Sequence, residues 1–127
     1  MIVNGELGGQ CNVSIYKIPP GKAAYPYHYH TKNEEVFYII SGTGLLKTPL
    51  GEQNVVSGDI LAFPANEKGA HKLINSSETE MLIYLDFDTY NSPDISHLLD
   101  SGKAVVYGRG FRKIFKESSE IGYYDGE

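Results

Sequence analysis

Turn signals recur along this chain about every 8 to 12 residues, a spacing that specifies an all-β sandwich or barrel. They are GELGGQ, IPPGK, SGTG, TPLGE, VSGD, PANEKG and NSSE, and the segments between them are short and rich in β-branched and aromatic residues. The expected strands are Asn12 to Ile18, Tyr27 to His30, Glu35 to Ser41, Gly44 to Thr48, Gln53 to Val56, Ile60 to Phe63, His71 to Asn75 and Met81 to Phe87. None has helical periodicity. A short helix is expected only over Pro93 to Asp100, in NSPDISHLLDSG. There Ser92 can cap, Pro93 suits the first helical position and Gly102 can end the turn. KAVVYG and FRKIF follow as edge strands, and KESSEIGYYDGE as a loosely ordered acidic tail.

A chain of 127 residues supports one hydrophobic core, so residues 1–127 are taken as a single domain. Its barrel core spans about residues 12 to 88, with the helix and tail at residues 89–127. A composition 41% hydrophobic and 21% charged is enough to pack that core. The net charge of −5, with no Lys/Arg run longer than two, excludes the electrostatic footprint of nucleic-acid or anionic-membrane binding. No apolar segment approaches the roughly 18 to 20 residues that span a bilayer, and MIVNGELGG lacks the features of a signal peptide, so a cytoplasmic location is expected. The single cysteine, Cys11, has no partner for a disulfide or a metal cluster and is expected to be a buried thiol. VFYII and MLIYLDF are apolar at both odd and even positions. One face of such strands looks into a barrel and the other needs a second sheet or a partner subunit, so a homodimer is expected.

The chemistry concentrates in YHYHTKNEEVFYIISG, Tyr27 to Gly42. In an extended strand His28 and His30 project from one face while Tyr29 points away. If Thr31 to Glu34 lead into an antiparallel strand, Glu35 lies beside both imidazoles. Two imidazoles and a carboxylate on one wall suit a divalent transition metal. His71, opening the segment HKLIN, is the natural fourth member, so that three of the four histidines converge. The fourth, His97, falls in the expected helix and is not expected to be a ligand.

These residues resemble the two motifs of the cupin superfamily over about residues 21 to 75. The first motif is matched by Gly21, His28, His30, Glu35 and Gly42, with six rather than five residues between Gly21 and His28. The second is matched by Gly58, Pro64, Gly69, His71 and Asn75, with the segment ANEKGA two residues longer than the common pattern. IYLDFDTYNSPDISHLLDSGKAVV is also similar to the end of small single-domain bacterial cupins. The resemblance implies a double-stranded β-helix, or jelly-roll, barrel of two antiparallel sheets. It implies a metal held inside by His28, His30, Glu35 and His71: zinc, iron, manganese, nickel or copper. It also selects Glu35 over Glu34, which is expected to point outward.

Such a site implies an enzyme acting on a small oxygenated metabolite, as a sugar or sugar-phosphate isomerase or as a dioxygenase. The contrasting expectation is a small-ligand-binding or sensory module without turnover; a storage barrel fits a complete ligand set least. Lys47, Lys72, Arg109 and Arg112 are available for an anionic substrate, though each reads first as a solvated surface charge. Tyr25, Tyr27, Tyr29 and Tyr38 read as packing residues at barrel mouths or an interface. No residue is singled out in the sequence as a general acid or base.

Overall fold

The computed structural model describes residues 9–127. The amino-terminal segment examined for a signal peptide, and the start of the GELGGQ turn, lie outside them. Among the described residues eleven strands follow one another: β1 Cys11–Ile18, β2 His28–His30, β3 Glu35–Ser41, β4 Thr43–Thr48, β5 Gly51–Val56 and β6 Ile60–Phe63, then β7 Lys72–Asn75, β8 Leu82–Thr89, β9 Asp94–Leu98, β10 Lys103–Gly108 and β11 Phe111–Lys116. All pairings are antiparallel.

One sheet has the order β1-β8-β3-β6. Across from it lie the sheets β11-β10-β9-β2 and β5-β4-β7, which a bridge between His28 and His71 joins into one wall. The backbone amide of each of these histidines donates to the carbonyl of the other. The core lies between the walls at one end of the strands, where Ile18, Phe37, Ile39, Leu82 and Tyr84 of the first meet Leu46, Val55 and Leu73 of the second. Full burial of a side chain of this size contributes roughly 1.5–3 kcal/mol.

Two motif glycines have steric reasons. Gly42 takes φ +92°, and a Cβ there would lie 2.5 Å from the Met81 carbonyl oxygen, so only glycine lets β3 pass into β4 beside β8. A Cβ on Gly69 would lie 1.9 Å from the Pro64 carbonyl oxygen. That close approach folds the long ANEKGA segment into a 3-10 turn, Glu67–Gly69, opened by the Asn66 side chain accepting from the Lys68 amide. The motif asparagine, Asn75, is buried and ties a loop together by donating to the carbonyls of Ile18 and Glu80.

The structure corrects the expected helix. Residues 94–98 form a strand whose neighbours are β2 on one side and β10 on the other. Ser92, Pro93 and Gly102 are local signals only, whereas DISHL alternates, and its Asp94 and Ser96 are buried toward the interior. Two partner strands satisfy its backbone, which outweighs the capping signals. β10 is accordingly an inner strand, and of the two expected edge strands only β11 is one. Cys11 is exposed at the outer end of β1, not buried, because the first residue of an edge strand has no wall above it. The tail beyond β11 is exposed, with a single 3-10 turn over Glu117–Ser119.

The doubly apolar strands leave a large face uncovered. On the outside of the first sheet, Ile15 pairs with Leu85, Leu85 with Tyr38, and Tyr38 with Ile60. Ile60 is 70% exposed and Ile15 60%. No helix among the described residues is long and apolar enough to cross a membrane.

Candidate metal centre

His28 and His30 project inward from β2, Glu35 opens β3, and His71 stands immediately before β7. The three Nε2 atoms surround a single oxygen. Glu35 Oε2 lies 3.6 Å from His28 Nε2, 3.7 Å from His30 Nε2 and 3.2 Å from His71 Nε2. The ligating atoms of His28, His30 and Glu35 all lie within 4.8 Å of one another. Glu34 points out to solvent, as the motif spacing implied.

Each imidazole is oriented from behind. His28 Nδ1 lies 2.8 Å from the Pro26 carbonyl oxygen, His71 Nδ1 2.9 Å from that of Gly69, and His30 Nδ1 2.6 Å from Asp94 Oδ2. A carbonyl oxygen only accepts, so Nδ1 of His28 and His71 carries the proton and Nε2 presents its lone pair toward Glu35. Such backing bonds accompany metal-ligating histidines generally. Burial pushes His71 down to about 4, so its ring is neutral at physiological pH. For Glu35, burial opposes ionisation, but the three surrounding imidazoles outweigh it and hold the carboxyl below its usual range. His71 Nε2 is fully buried and has no hydrogen-bond partner. A buried lone pair left unpaired is costly, and a cation among these four side chains would satisfy it. The residues present therefore fit a divalent metal.

Asp94, which the sequence placed in a helix, supports this wall. Besides His30 it accepts from the Lys32 amide and from Asn33 Nδ2. Burial opposes its charge, yet the His30 contacts and backbone amides hold it ionised. Asp94→Asn is expected to keep the fold and lower metal affinity about 10–100-fold, measured by competition with a chelator. The signal available in sequence was the alternation of DISHL, which places Asp94 on the inner face once the segment is a strand.

A cavity of about 490 Å³ opens over the cluster. Its inner wall carries Asp86 and Asp88 of β8, next to Glu35 across the sheet. Asp86, Asp88 and Glu35 have carboxylate oxygens within 4.8 Å of one another. Burial raises Asp86 well above the carboxylate range, helped by its hydrogen bond to Asp88, and burial likewise raises Asp88. Asp86 is 3% exposed. The folded protein thus binds a proton at Asp86 that the unfolded chain releases, so this group's stabilisation is complete below the unfolded carboxyl value and fades as pH rises above it. Urea melts of metal-free Asp86→Asn are expected to lose that decline, which in the native sequence is roughly 1 kcal/mol per pH unit between the unfolded carboxyl value and about 9.

The remaining sequence expectations separate cleanly. Tyr25 lines the cavity and its hydroxyl donates to Tyr16. Tyr27 lies under Lys47, which also meets Asp100 at 3.7 Å. Tyr38 faces outward on the apolar sheet. His97 takes no part in the cluster: on β9 it stacks on Tyr29 and bonds Glu117. Lys72 lines a small pocket behind His71, Arg109 lies in an exposed turn, and Arg112 lines the main cavity.

A double-walled antiparallel β-barrel with a histidine and carboxylate cluster inside it defines a class of small metal-site barrels. A family model described as Cupin domain matches residues 14–87. The chain belongs to the cupin family. Among solved structures it is similar to a protein from Acidithiobacillus ferrooxidans whose name as a sugar phosphate isomerase is provisional. Identity is 25% and the TM-score 0.81, over 93% of this chain and 76% of that one. A cupin-superfamily sugar phosphate isomerase from Silicibacter pomeroyi gives 24% identity and a TM-score of 0.82, over 95% and 78%. A Thermotoga maritima protein described as a predicted oxalate decarboxylase gives 20% and 0.59, over 70% and 76%. The latter two likenesses carry the fold alone. No curated protein matches the sequence.

Proposed function

We propose that this chain is a metal-dependent cupin enzyme that isomerises a small oxygenated metabolite of the sugar or sugar-phosphate class. His28, His30, Glu35 and His71 hold one divalent transition ion, of zinc, iron, manganese, nickel or copper type. The observation that carries the reading is the buried, unpartnered Nε2 of His71, 3.2 Å from the same Glu35 oxygen that faces His28 and His30. When bound, the ion would act as a Lewis acid on a substrate carbonyl or hydroxyl oxygen.

The protein's own groups supply the proton chemistry. Isomerisation removes a proton from a hydroxyl-bearing carbon and returns it to the neighbouring carbonyl carbon, so it needs a group that both accepts and donates near neutral pH. The Asp86 and Asp88 pair, buried beside Glu35 and holding a shared proton, is suited to that task. Dioxygenation has no such requirement, which favours isomerisation. The provisional name of the Acidithiobacillus relative is consistent with it. The test is incubation of metal-loaded protein with aldose and ketose phosphates in heavy water. Deuterium entering the carbon next to the carbonyl is expected; tight stoichiometric binding without exchange or oxygen uptake would mark a ligand-binding module instead.

The protein functions as a homodimer in this reading. Ile15, Leu85, Tyr38 and Ile60 form an unbroken apolar row across the outer face of the first sheet, an arrangement monomers seldom leave open to water. Light scattering is expected to give twice the chain mass, and a monomer at micromolar concentration refutes this part.

A further inference from the structure

We propose that Arg112 forms an anion-binding subsite at the rim of the cavity. The site thereby selects an elongated polyhydroxylated compound whose terminal anionic group, phosphate or carboxylate, seats at Arg112 while its hydroxylated end lies among the buried carboxylates. The inference rests on taking the histidine cluster as the reaction centre.

The cavity is polarised. Glu35, Asp86, Asp88 and Asp94 line its inner part, and Arg112 is the one lysine or arginine among the described residues that lines it at all. The carboxylates of Glu35 and Asp94 meet an incoming anion with like charge at the inner end. At the rim, Arg112 is the side chain that offers it a counter-charge. The rest of a ligand entering with that orientation must be neutral.

Arg112 is well placed to act as that counter-charge. It lies on β11 directly across from Tyr107 of β10, and the Tyr107 ring stacks against His30 with centroids 6.2 Å apart. One strand spacing, about 5 Å, separates the Tyr107 and Arg112 backbones. The order of groups from the interior outward is therefore imidazole cluster, Tyr107, Arg112. A short sugar chain with a terminal anionic group spans such a series. Arg112 makes no ion pair with any described residue, unlike Lys47. Its planar fork matches the paired oxygens of phosphate or carboxylate.

The inner end carries the complementary signal. Asp86 Oδ1 and Asp88 Oδ1 are buried without hydrogen-bond partners, and both residues line the cavity. Buried acceptors of that kind call for donors. Substrate hydroxyls are donors, and an anionic group is not. The two ends of the cavity thus specify the two ends of one molecule.

The test is calorimetric titration of the full-length protein, metal-loaded and metal-stripped, with three probe sets. These are aldose and ketose phosphates of four to six carbons, the sugar acids of the same chain lengths, and the unmodified sugars. Arg112→Ala is expected to weaken the tightest anionic probe at least ten-fold and leave the neutral sugars unchanged, with circular dichroism and metal content unaltered. Arg109→Ala, which removes the same charge from an exposed turn outside the cavity, is expected to change neither. The stronger of the phosphate and carboxylate arms identifies the anion. Equal losses in both variants, no loss in Arg112→Ala, or no preference of the native protein for anionic over neutral probes each overturns the subsite. Those results leave the metal site standing. Absence of stoichiometric metal instead overturns the reaction centre, and the metal-stripped titrations still decide on Arg112.

Discussion

Replacement of His71 with alanine is expected to abolish stoichiometric metal binding in a protein that still folds. Removing this residue deletes the most buried of the three imidazoles and the only one whose Nε2 lies wholly out of reach of water and of every hydrogen-bond partner. The barrel survives because the strand pairing at this point runs through the backbone, the His71 amide donating to the His28 carbonyl, which alanine preserves. Lost stacking on the Phe63 ring, 3.6 Å away between centroids, costs about 1–3 kcal/mol. Elemental analysis of protein dialysed against equimolar metal is the measurement. His30→Ala is expected to behave alike, and His97→Ala, on the outer side of β9, to retain the native metal content. Unchanged metal in both His30 and His71 variants would show that the cluster is not a metal site.

Phe37→Ala is expected to lower the unfolding free energy by about 3–5 kcal/mol, the range for deleting a buried aromatic ring. Phe37 is 2% exposed and meets Phe63, Tyr84 and His71 with ring centroids 5.0, 4.7 and 5.3 Å away. With Phe63 it forms the ring pair on which the apolar core and the histidine cluster abut. Urea denaturation at a fixed metal concentration measures the loss, and chelator competition is expected to show weakened metal affinity, because the His71 ring loses one of the walls that hold it. A loss below about 1 kcal/mol would mean that the surroundings collapse into the space. Glu34→Ala, on the solvent side of the same strand entrance, is expected to stay within about 0.5 kcal/mol of the native protein.

The parts of the fold legible in the sequence are those written in short-range pattern. Glu35–Ser41 and Ile60–Phe63 form strands with the expected ends, since turn residues bracket each apolar run. His28 and His30 share a face because a strand's period is two, and Glu35 faces them because the turn between is short. The long ANEKGA insertion still delivers His71, its extra residues being taken up in the 3-10 turn, with the Asn66 amide donating to the His30 carbonyl.

What lay outside that reach involves partners far apart in the chain. Ser92, Pro93 and Gly102 satisfy the local rules of a helix, and only the two neighbouring strands make residues 94–98 extended. Asp94 supports His30 from 64 residues away. Asp86 and Asp88 look in sequence like the alternation of a strand, and become a carboxyl pair only when β8 lies against β3. Arg112 is one of several surface cations until β11 brings it to the cavity rim. The sequence by itself determined the β architecture, because a strand's period acts within a few residues, and its likeness to the cupin motifs pointed to the family and to the four residues of the candidate metal centre. The tertiary structure alone decided the carboxylates behind and beside that centre and the charge at its mouth, because strand order, which no local pattern encodes, chooses which distant side chains meet.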